Sequence, residues 1–250
     1  MRKNWTRYAW PMLLLAGTAA LHGAAAMPET LAPQNTNEMQ AALKAQPRPS
    51  HGARVFKQCA VCHGRDAGGS SDGVVPALAS QHFRYLVKQI VEFRDDERFA
   101  GPVHDQVTRE AMDGPQTIAD LAAYLAELPP NLKPQTGSGR DVARGAQLYR
   151  AACESCHRDS ALGTNELGVP SLRCQHYAYL VRQIGDIGDA HRFNTPADLV
   201  LLLKDMPPED AEAIADYLSR LDIGAAIVTE TQAPASMTAT QARIAPAIRK

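Results

Sequence analysis

The 250-residue chain is poor in several features that mark particular classes of protein. Aromatic residues make up only 6% of it, the formal net charge is −1, and there are five cysteines. A charge near zero gives no argument for nucleic-acid binding, which usually requires a basic domain. Five cysteines are too few for a small disulfide-stapled scaffold. The 45% of hydrophobic residues can build packed cores, which excludes wholesale disorder.

The N-terminus has the three parts of an export signal. These are basic residues at Arg2, Lys3 and Arg7, an apolar run at Met12–Leu15, and small residues at Ala24–Ala26. The order predicts a signal peptide over 1–26, cleaved near Ala26/Met27, and hence a periplasmic protein. An uncleaved membrane anchor is the alternative, but the run is shorter than the ~20 residues of a spanning helix. Cleavage would leave 23 basic residues against 27 acidic ones, a charge of −4.

A tandem repeat organises the chain from residue 51 onward. Cys59–His63 (CAVCH) recurs 94 residues later as Cys153–His157 (CESCH), and blocks 81–90 and 175–184 share seven of ten residues in the same register. The offset also relates Pro76 to Pro170, Leu78 to Leu172, Arg98 to Arg192, and Met112 to Met206. One register held over so many motifs indicates a duplicated domain.

The patterning predicts an all-α protein with two tandem helical domains. Each copy shows a helix leading into the cysteine motif (51–60 and 142–154), a second one in the repeated block, and a closing helix. Sustained period-two alternation is absent, so strands should be minor. The predicted layout is a flexible arm at 27–50, domain one at 51–128, a linker at 129–141, domain two at 142–222 and a flexible tail at 223–250.

The Cys-X-X-Cys-His motif is the attachment signal of c-type haem. Its two thiols can bond the two vinyl-derived carbons on one porphyrin edge, and the adjacent histidine can ligate the iron. The predicted anchors of two covalently attached haems c are Cys59, Cys62, Cys153 and Cys156, with His63 and His157 as proximal iron ligands. A zinc knuckle usually needs four ligands, and each motif supplies three. A thioredoxin-like dithiol expects a βαβ context, whereas this pattern is helical.

The residues around the motifs resemble the cytochrome c₄ family, which has two haems. Gln-His-x-x-Tyr-Leu-x-x-Gln-Ile follows Pro-x-Leu in both copies, and Asp120–Leu125 and Ala213–Leu218 are similar to the family's closing helix. The resemblance covers 51–222. It implies two class I cytochrome c domains, each wrapped around one haem, that carry single electrons toward a terminal oxidase or another acceptor. The expected partners are redox proteins: a terminal oxidase, a dehydrogenase or a reductase. The resemblance implies no catalytic residues.

The resemblance also implies a distal methionine on each iron. Met112 and Met206 share the repeat register and precede the closing helix, so they are predicted distal ligands, with a packing role as the alternative. The family's methionine lies several residues earlier, near His104 and Asp198. His104 is therefore an alternative ligand for the first haem, and an open or water-bound site is a third possibility.

An open distal site would keep two other functions possible. One is a di-haem oxidoreductase that acts on peroxide or a sulfur compound, and the other is a cytochrome subunit of a larger redox complex. Neither a nucleic-acid partner nor more than peripheral membrane association is expected.

Three further features are predicted to be structural. From the resemblance, the Pro76 and Pro170 carbonyls should accept hydrogen bonds from the proximal imidazoles. His82 and His176 should begin helices rather than ligate iron. Cys174, where the first copy has a serine, should be a buried small residue, with pairing between chains as the alternative.

Overall fold

The computed structural model describes residues 37–98 and 103–221, which belong to one compact unit. Within these ranges, β-structure is limited to an isolated bridge between Thr164 and Val169. No helix there is long and apolar enough to cross a bilayer. The prediction of an all-α fold is thus confirmed. The predicted signal over 1–26 and the tail at 223–250 lie outside the described residues.

The helices form two sets, one in each half of the unit, and every helix except the first has a counterpart in the other half. In the N-terminal half, defined as residues 37–128, they are α1 (Asn37–Lys44), α2 (Pro49–Val55), α3 (Ala60–His63), α4 (Phe83–Arg94), α5 (His104–Val107) and α6 (Gly114–Glu127). In the C-terminal half, residues 142–221, they are α7 (Val142–Ala152), α8 (Glu154–His157), α9 (Tyr177–Gly188), α10 (Ala197–Leu203) and α11 (Pro208–Ser219). A 3₁₀ turn at Phe56–Gln58 joins α2 to α3. The repeated sequence therefore folds into repeated structure.

In each half, the helix before the cysteine motif crosses the closing helix at a glycine. A Cβ at Gly52 of α2 would lie 2.0 Å from the Asp120 carbonyl oxygen of α6. A Cβ at Gly145 of α7 would lie 1.9 Å from the Ala213 carbonyl oxygen of α11. The two backbones are in direct contact at both crossings, so no side chain fits there.

An aromatic pair accompanies each crossing. The rings of Phe56 and Tyr124 have centroids 5.6 Å apart, and those of Tyr149 and Tyr217 lie 5.7 Å apart, both tilted by 48°. Tilted pairs at this separation are a favoured arrangement of aromatic rings. The crossings therefore rest on the same combination of small and aromatic residues in both halves.

The N-terminal segment differs from the prediction. A flexible arm was expected over 27–50. Residues 27–36 lie outside the described part of the chain, but α1 and the start of α2 lie within 37–50. Met39 and Ala42 of α1 are buried in the core of the N-terminal half, and Glu38 forms an ion pair with buried Arg94. The Pro- and Gln-rich composition predicted a loose chain, whereas the apolar side of α1 packs against the core of the N-terminal half.

Asp120 holds the chain between α1 and α2. Its buried carboxylate accepts hydrogen bonds from the Arg48 backbone N–H (2.7 Å) and guanidinium (2.9 Å), the His51 imidazole (2.8 Å) and the Gln116 amide (2.7 Å). Burial alone would raise the pKa of Asp120, but these hydrogen bonds outweigh burial and hold the pKa below its ordinary value. The closing helix α6 is thereby tied to the start of the N-terminal half.

Asp120→Asn is expected to destabilise the protein by about 1–3 kcal/mol, because an amide leaves charged donors without their anion. The folded-state pKa of Asp120 is depressed, so its contribution is present above the ordinary value of 3.8 and is lost as the pH falls further. The variant should therefore lose less stability than wild type on acidification below about pH 4. Denaturant unfolding at pH 7 and pH 3 measures both effects. The control is Asp141→Asn, because the Asp141 carboxylate is exposed and makes no capping hydrogen bond. Equal unfolding midpoints of the two variants would refute the role of Asp120.

Two equivalent glutamines join the halves. The Gln81 side chain donates to the Ser171 carbonyl (2.9 Å) and accepts from the Ser171 N–H (2.9 Å). The Gln175 side chain donates to the Ala77 carbonyl (2.9 Å) and accepts from the Ala77 N–H (3.0 Å). Because the repeat offset relates both pairs, the interface is isologous, like that of a two-fold symmetric dimer.

His82 and His176 extend this interface. They lie at the N-caps of α4 and α9. The Nε2–H of His82 donates to the Leu162 carbonyl and that of His176 to the Gly68 carbonyl, each at 2.7 Å. The prediction that both histidines begin helices is thus confirmed.

A symmetric polar cluster also lies between the halves, at residues that the repeat had paired. Arg98 donates to the side-chain oxygens of Gln89 and Gln183. Arg192 donates to the same two oxygens, at 3.2 Å to Gln89 and 3.1 Å to Gln183. The four side chains hydrogen-bond one another across the interface and help to fix how the halves pack, and the Arg192 Nε is left without a partner.

Candidate functional site

Each cysteine motif lies on a single helical turn. Cys59 and Cys153 precede α3 and α8, and the histidine ends the turn. The backbone N–H of His63 donates to the Cys59 carbonyl, and that of His157 to the Cys153 carbonyl, both at 3.0 Å. Residues three and four apart share a helix face, so the two thiols and the imidazole of each motif lie on one side. This arrangement is what attachment to a single flat group requires.

The half-buried thiol of each motif differs from a redox-active cysteine. All four are free; Cys59 and Cys153 are half-buried, whereas Cys62 and Cys156 are exposed. Burial, helped by the neighbouring cysteine, raises the pKa of Cys59 and of Cys153 to about 11 each. Redox-active cysteines have a lowered pKa, so the dithiol alternative gains no support.

The motif imidazoles are oriented in the same way in both halves. The His63 Nδ1–H donates to the Pro76 carbonyl and the His157 Nδ1–H to the Pro170 carbonyl, each at 3.0 Å. The predicted proline contacts are thus confirmed. Burial lowers the pKa of both imidazoles, which keeps them neutral. With Nδ1 protonated, the Nε2 lone pair is available to a metal.

These residues fit a covalently attached haem. Two thiols and one neutral imidazole lie on one face, and a backbone carbonyl fixes the tautomer that an iron ligand needs. Among the residues that the structure describes, no group of three or more His, Cys, Asp and Glu side chains forms a closed metal site, so the zinc alternative gains no support. Cys59, Cys62, Cys153 and Cys156 would hold the two groups, with His63 and His157 on the irons.

The predicted distal residues have different surroundings. Met112 is 1% exposed and packs in the core of the N-terminal half, whereas Met206 is half-buried against the core of the C-terminal half. His104 begins α5, and its Nδ1–H donates to the Phe93 carbonyl at 3.1 Å with Asp96 nearby. His63 and His157 make a similar Nδ1–carbonyl contact, but the His104 Nδ1 also lies 3.1 Å from an Asp96 carboxylate oxygen. Asp198 is exposed and accepts from the Leu199 N–H at the start of α10.

Sequence reasoning missed an exposed apolar set in the C-terminal half. Phe193 is 75% exposed, Leu201 73% and Leu202 48%. The uninterrupted Leu-Val-Leu-Leu-Leu run of α10 was the signal that could have revealed the two exposed leucines, because one face of a helix cannot bury all five residues of such a run.

Comparison with known proteins decides the family. A family model described as "Cytochrome c" matches residues 49–129, and one described as "Cytochrome C oxidase, cbb3-type, subunit III" matches residues 140–218. Cytochrome c4 of Pseudomonas aeruginosa is 31% identical over 174 residues, which cover 65% of this chain and 83% of that protein. The chain belongs to the cytochrome c4 family.

Further comparisons extend this assignment. The crystal structure of reduced recombinant cytochrome c4 from Pseudomonas stutzeri has a TM-score of 0.64 at 23% identity, covering 71% of this chain and all of that one, and shows the same fold. The "Thiosulfate dehydrogenase electron acceptor" of Stutzerimonas stutzeri is 27% identical, over 72% of this chain and 90% of that protein. As a cytochrome c4, the chain carries two covalently attached haems c, one in each half, and transfers electrons.

Proposed function

We propose that this cytochrome c4 is a periplasmic carrier of single electrons rather than an enzyme. In this proposal Cys59, Cys62, Cys153 and Cys156 bind the haems, and His63 and His157 are the proximal ligands. The observation that carries it is the 3.0 Å contact from imidazole to proline carbonyl, present in both halves. A bound haem supplies the one-electron couple, and the chain sets its potential through axial ligands, burial and hydrogen bonds.

The interface between the halves suits this function. The Gln81 and Gln175 contacts, the two histidine contacts and the Arg98–Arg192 cluster hold the halves in one arrangement. A protein that carries two electrons needs its two cofactors at a fixed separation and orientation. Because each half would hold one haem, a fixed arrangement of the halves would also fix the haems.

The proposed partners are redox proteins: a terminal oxidase, a dehydrogenase or a reductase. The name of the Stutzerimonas relative describes it as the acceptor of a dehydrogenase, which supports a partner of that class. Cleavage after Ala26 would leave an acidic protein, with a charge of −4. N-terminal sequencing of the protein isolated from the periplasm would test both the location and the cleavage site.

For the distal positions we propose Met112 and Met206, with His104 as the rival ligand of the first haem. The shared repeat register supports the methionines. The Nδ1–carbonyl contact of His104 supports the rival, because it leaves Nε2 available in the same manner as at the proximal histidines.

Substitution at the first haem distinguishes the rivals. If Met112 is the ligand, Met112→Ala should remove the weak long-wavelength iron–thioether absorption of one haem and lower its reduction potential, since a thioether favours ferrous iron. His104→Ala should then leave both unchanged. Optical and EPR spectra during a redox titration measure these properties. A bis-histidine EPR signal that disappears in His104→Ala would refute the assignment to Met112.

Binding of carbon monoxide to the ferrous haems distinguishes an electron carrier from a di-haem oxidoreductase. A carrier whose irons each have two protein ligands should not bind carbon monoxide in its ferrous state at neutral pH. Rapid binding to one haem, together with turnover of peroxide or a sulfur compound, would contradict the carrier proposal and support the enzyme.

A further inference from the structure

A cleft between the two halves contains a buried arginine without an anionic partner. Its volume is about 430 Å³. Residues of both halves line it, among them Ala79, Ser80 and His82 on one side and Leu162, Arg173 and Cys174 on the other. The lining includes no Asp or Glu and none of the cysteine-motif residues. The cleft is therefore separate from the haem-binding motifs and holds no carboxylate of its own.

Arg173 is buried in this cleft with one guanidinium nitrogen unpaired. The residue is 8% exposed, and its buried Nε has no hydrogen-bond partner. None of the ion pairs among the described residues includes it. Buried Arg94, by contrast, pairs with Glu38 and donates to two backbone carbonyls. Burying a guanidinium without a counter-charge is costly, so an anion beside Arg173 would offset that penalty.

The repeat shows that the fold itself does not require this arginine. Arg173-Cys174 corresponds to Ala79-Ser80 in the first copy. The backbone is the same in both places, since Ser80 has φ +61° and Cys174 has φ +55°. Alanine is therefore accepted at the equivalent position of the same interface, and only the C-terminal half carries a guanidinium there.

We propose that Arg173 forms an oxyanion site in this cleft. A guanidinium presents donors in a planar fork that matches carboxylate and sulfate groups. His82, which also lines the cleft, uses its Nε2–H on the Leu162 carbonyl, so Arg173 is the cation with donors available. The oxyanion is either a haem propionate carboxylate or a small oxyanion from solution.

Sulfate titration of the purified di-haem protein tests the site. We expect sulfate to raise the thermal unfolding midpoint of wild type more than chloride at equal ionic strength. In Arg173→Gln the sulfate concentration for half-maximal effect should rise at least about tenfold, the loss expected for a charge-assisted hydrogen bond. Arg173→Lys should retain part of the response. Arg140→Gln, which removes an exposed charge bonded only to Ser138, should respond like wild type.

Reduction potentials distinguish the two sources of the anion. If a haem propionate occupies the site, sulfate has no specific effect, and Arg173→Gln lowers the potential of one haem because a nearby cation disfavours ferric iron. Arg140→Gln would leave that potential unchanged. The proposal is overturned if sulfate acts equally on wild type, Arg173→Gln and Arg140→Gln and both haem potentials are the same in all three. If Arg173→Gln does not fold, Arg173→Lys and Arg173→Met are compared in the same way.

Discussion

Replacing Cys59 and Cys62 together by serine should lower the haem content from two per chain to about one. Serine cannot form the thioether bonds, and His63 alone would hold a diffusible haem weakly. Because the haem supplies much of the apolar interior of a small domain, the N-terminal half should also lose stability. The pyridine haemochrome spectrum, divided by protein concentration, measures the haem content directly.

Cys174→Ser is the matched control. It removes a cysteine of the same chain, and Ser80 shows that serine is accepted at the equivalent position. Its haem content should stay at about two per chain. A double serine variant that still binds two haems covalently, or a Cys174→Ser variant that has lost one, would refute the assignment of the anchors.

Gly145→Ala is expected to destabilise the C-terminal half by about 1–3 kcal/mol or more. The new Cβ would lie 1.9 Å from the Ala213 carbonyl oxygen, so α7 and α11 must move apart. The displacement would carry the cysteine motif with it, because Cys153 directly follows α7. Guanidinium unfolding of the protein, followed by the absorption of the haem, measures the loss.

Gly185→Ala provides a comparison within the same half. Gly185 lies inside α9, and a Cβ there meets nothing within 4 Å. This variant should gain about 0.5–1 kcal/mol, because alanine is the better helix former. If Gly145→Ala and Gly185→Ala shift the unfolding midpoint equally, direct backbone contact at the crossing is not what constrains Gly145.

The sequence predicted the features that the repeat duplicates. Because both cysteine motifs share one offset, the haem motifs and the helices around them could be anticipated, whereas the carbonyl contacts of His63 and His157 were expected from the family resemblance. Helical periodicity located α4, α6, α9 and α11. These features depend on local pattern, and the pattern occurs twice.

Features that depend on distant partners could not be predicted. The docking of α1 rests on an ion pair between Glu38 and Arg94, 56 residues apart in sequence, and on burial of Met39. The reciprocal contacts of Gln81 and Gln175 span 90 or more residues. Identical glutamines in the repeated block were a signal, but their partners are backbone groups, which have no sequence signature. The predicted domain boundaries and distal ligands stay predictions.

A potentiometric titration of the purified protein, followed by visible absorption, tests directly whether the chain is a di-haem electron carrier. Such a carrier should show two reversible one-electron steps of nearly equal amplitude, so each chain takes up two electrons without consuming a substrate. A single one-electron step, or reduced haem that is reoxidised only when a chemical substrate is supplied, would contradict a di-haem electron carrier.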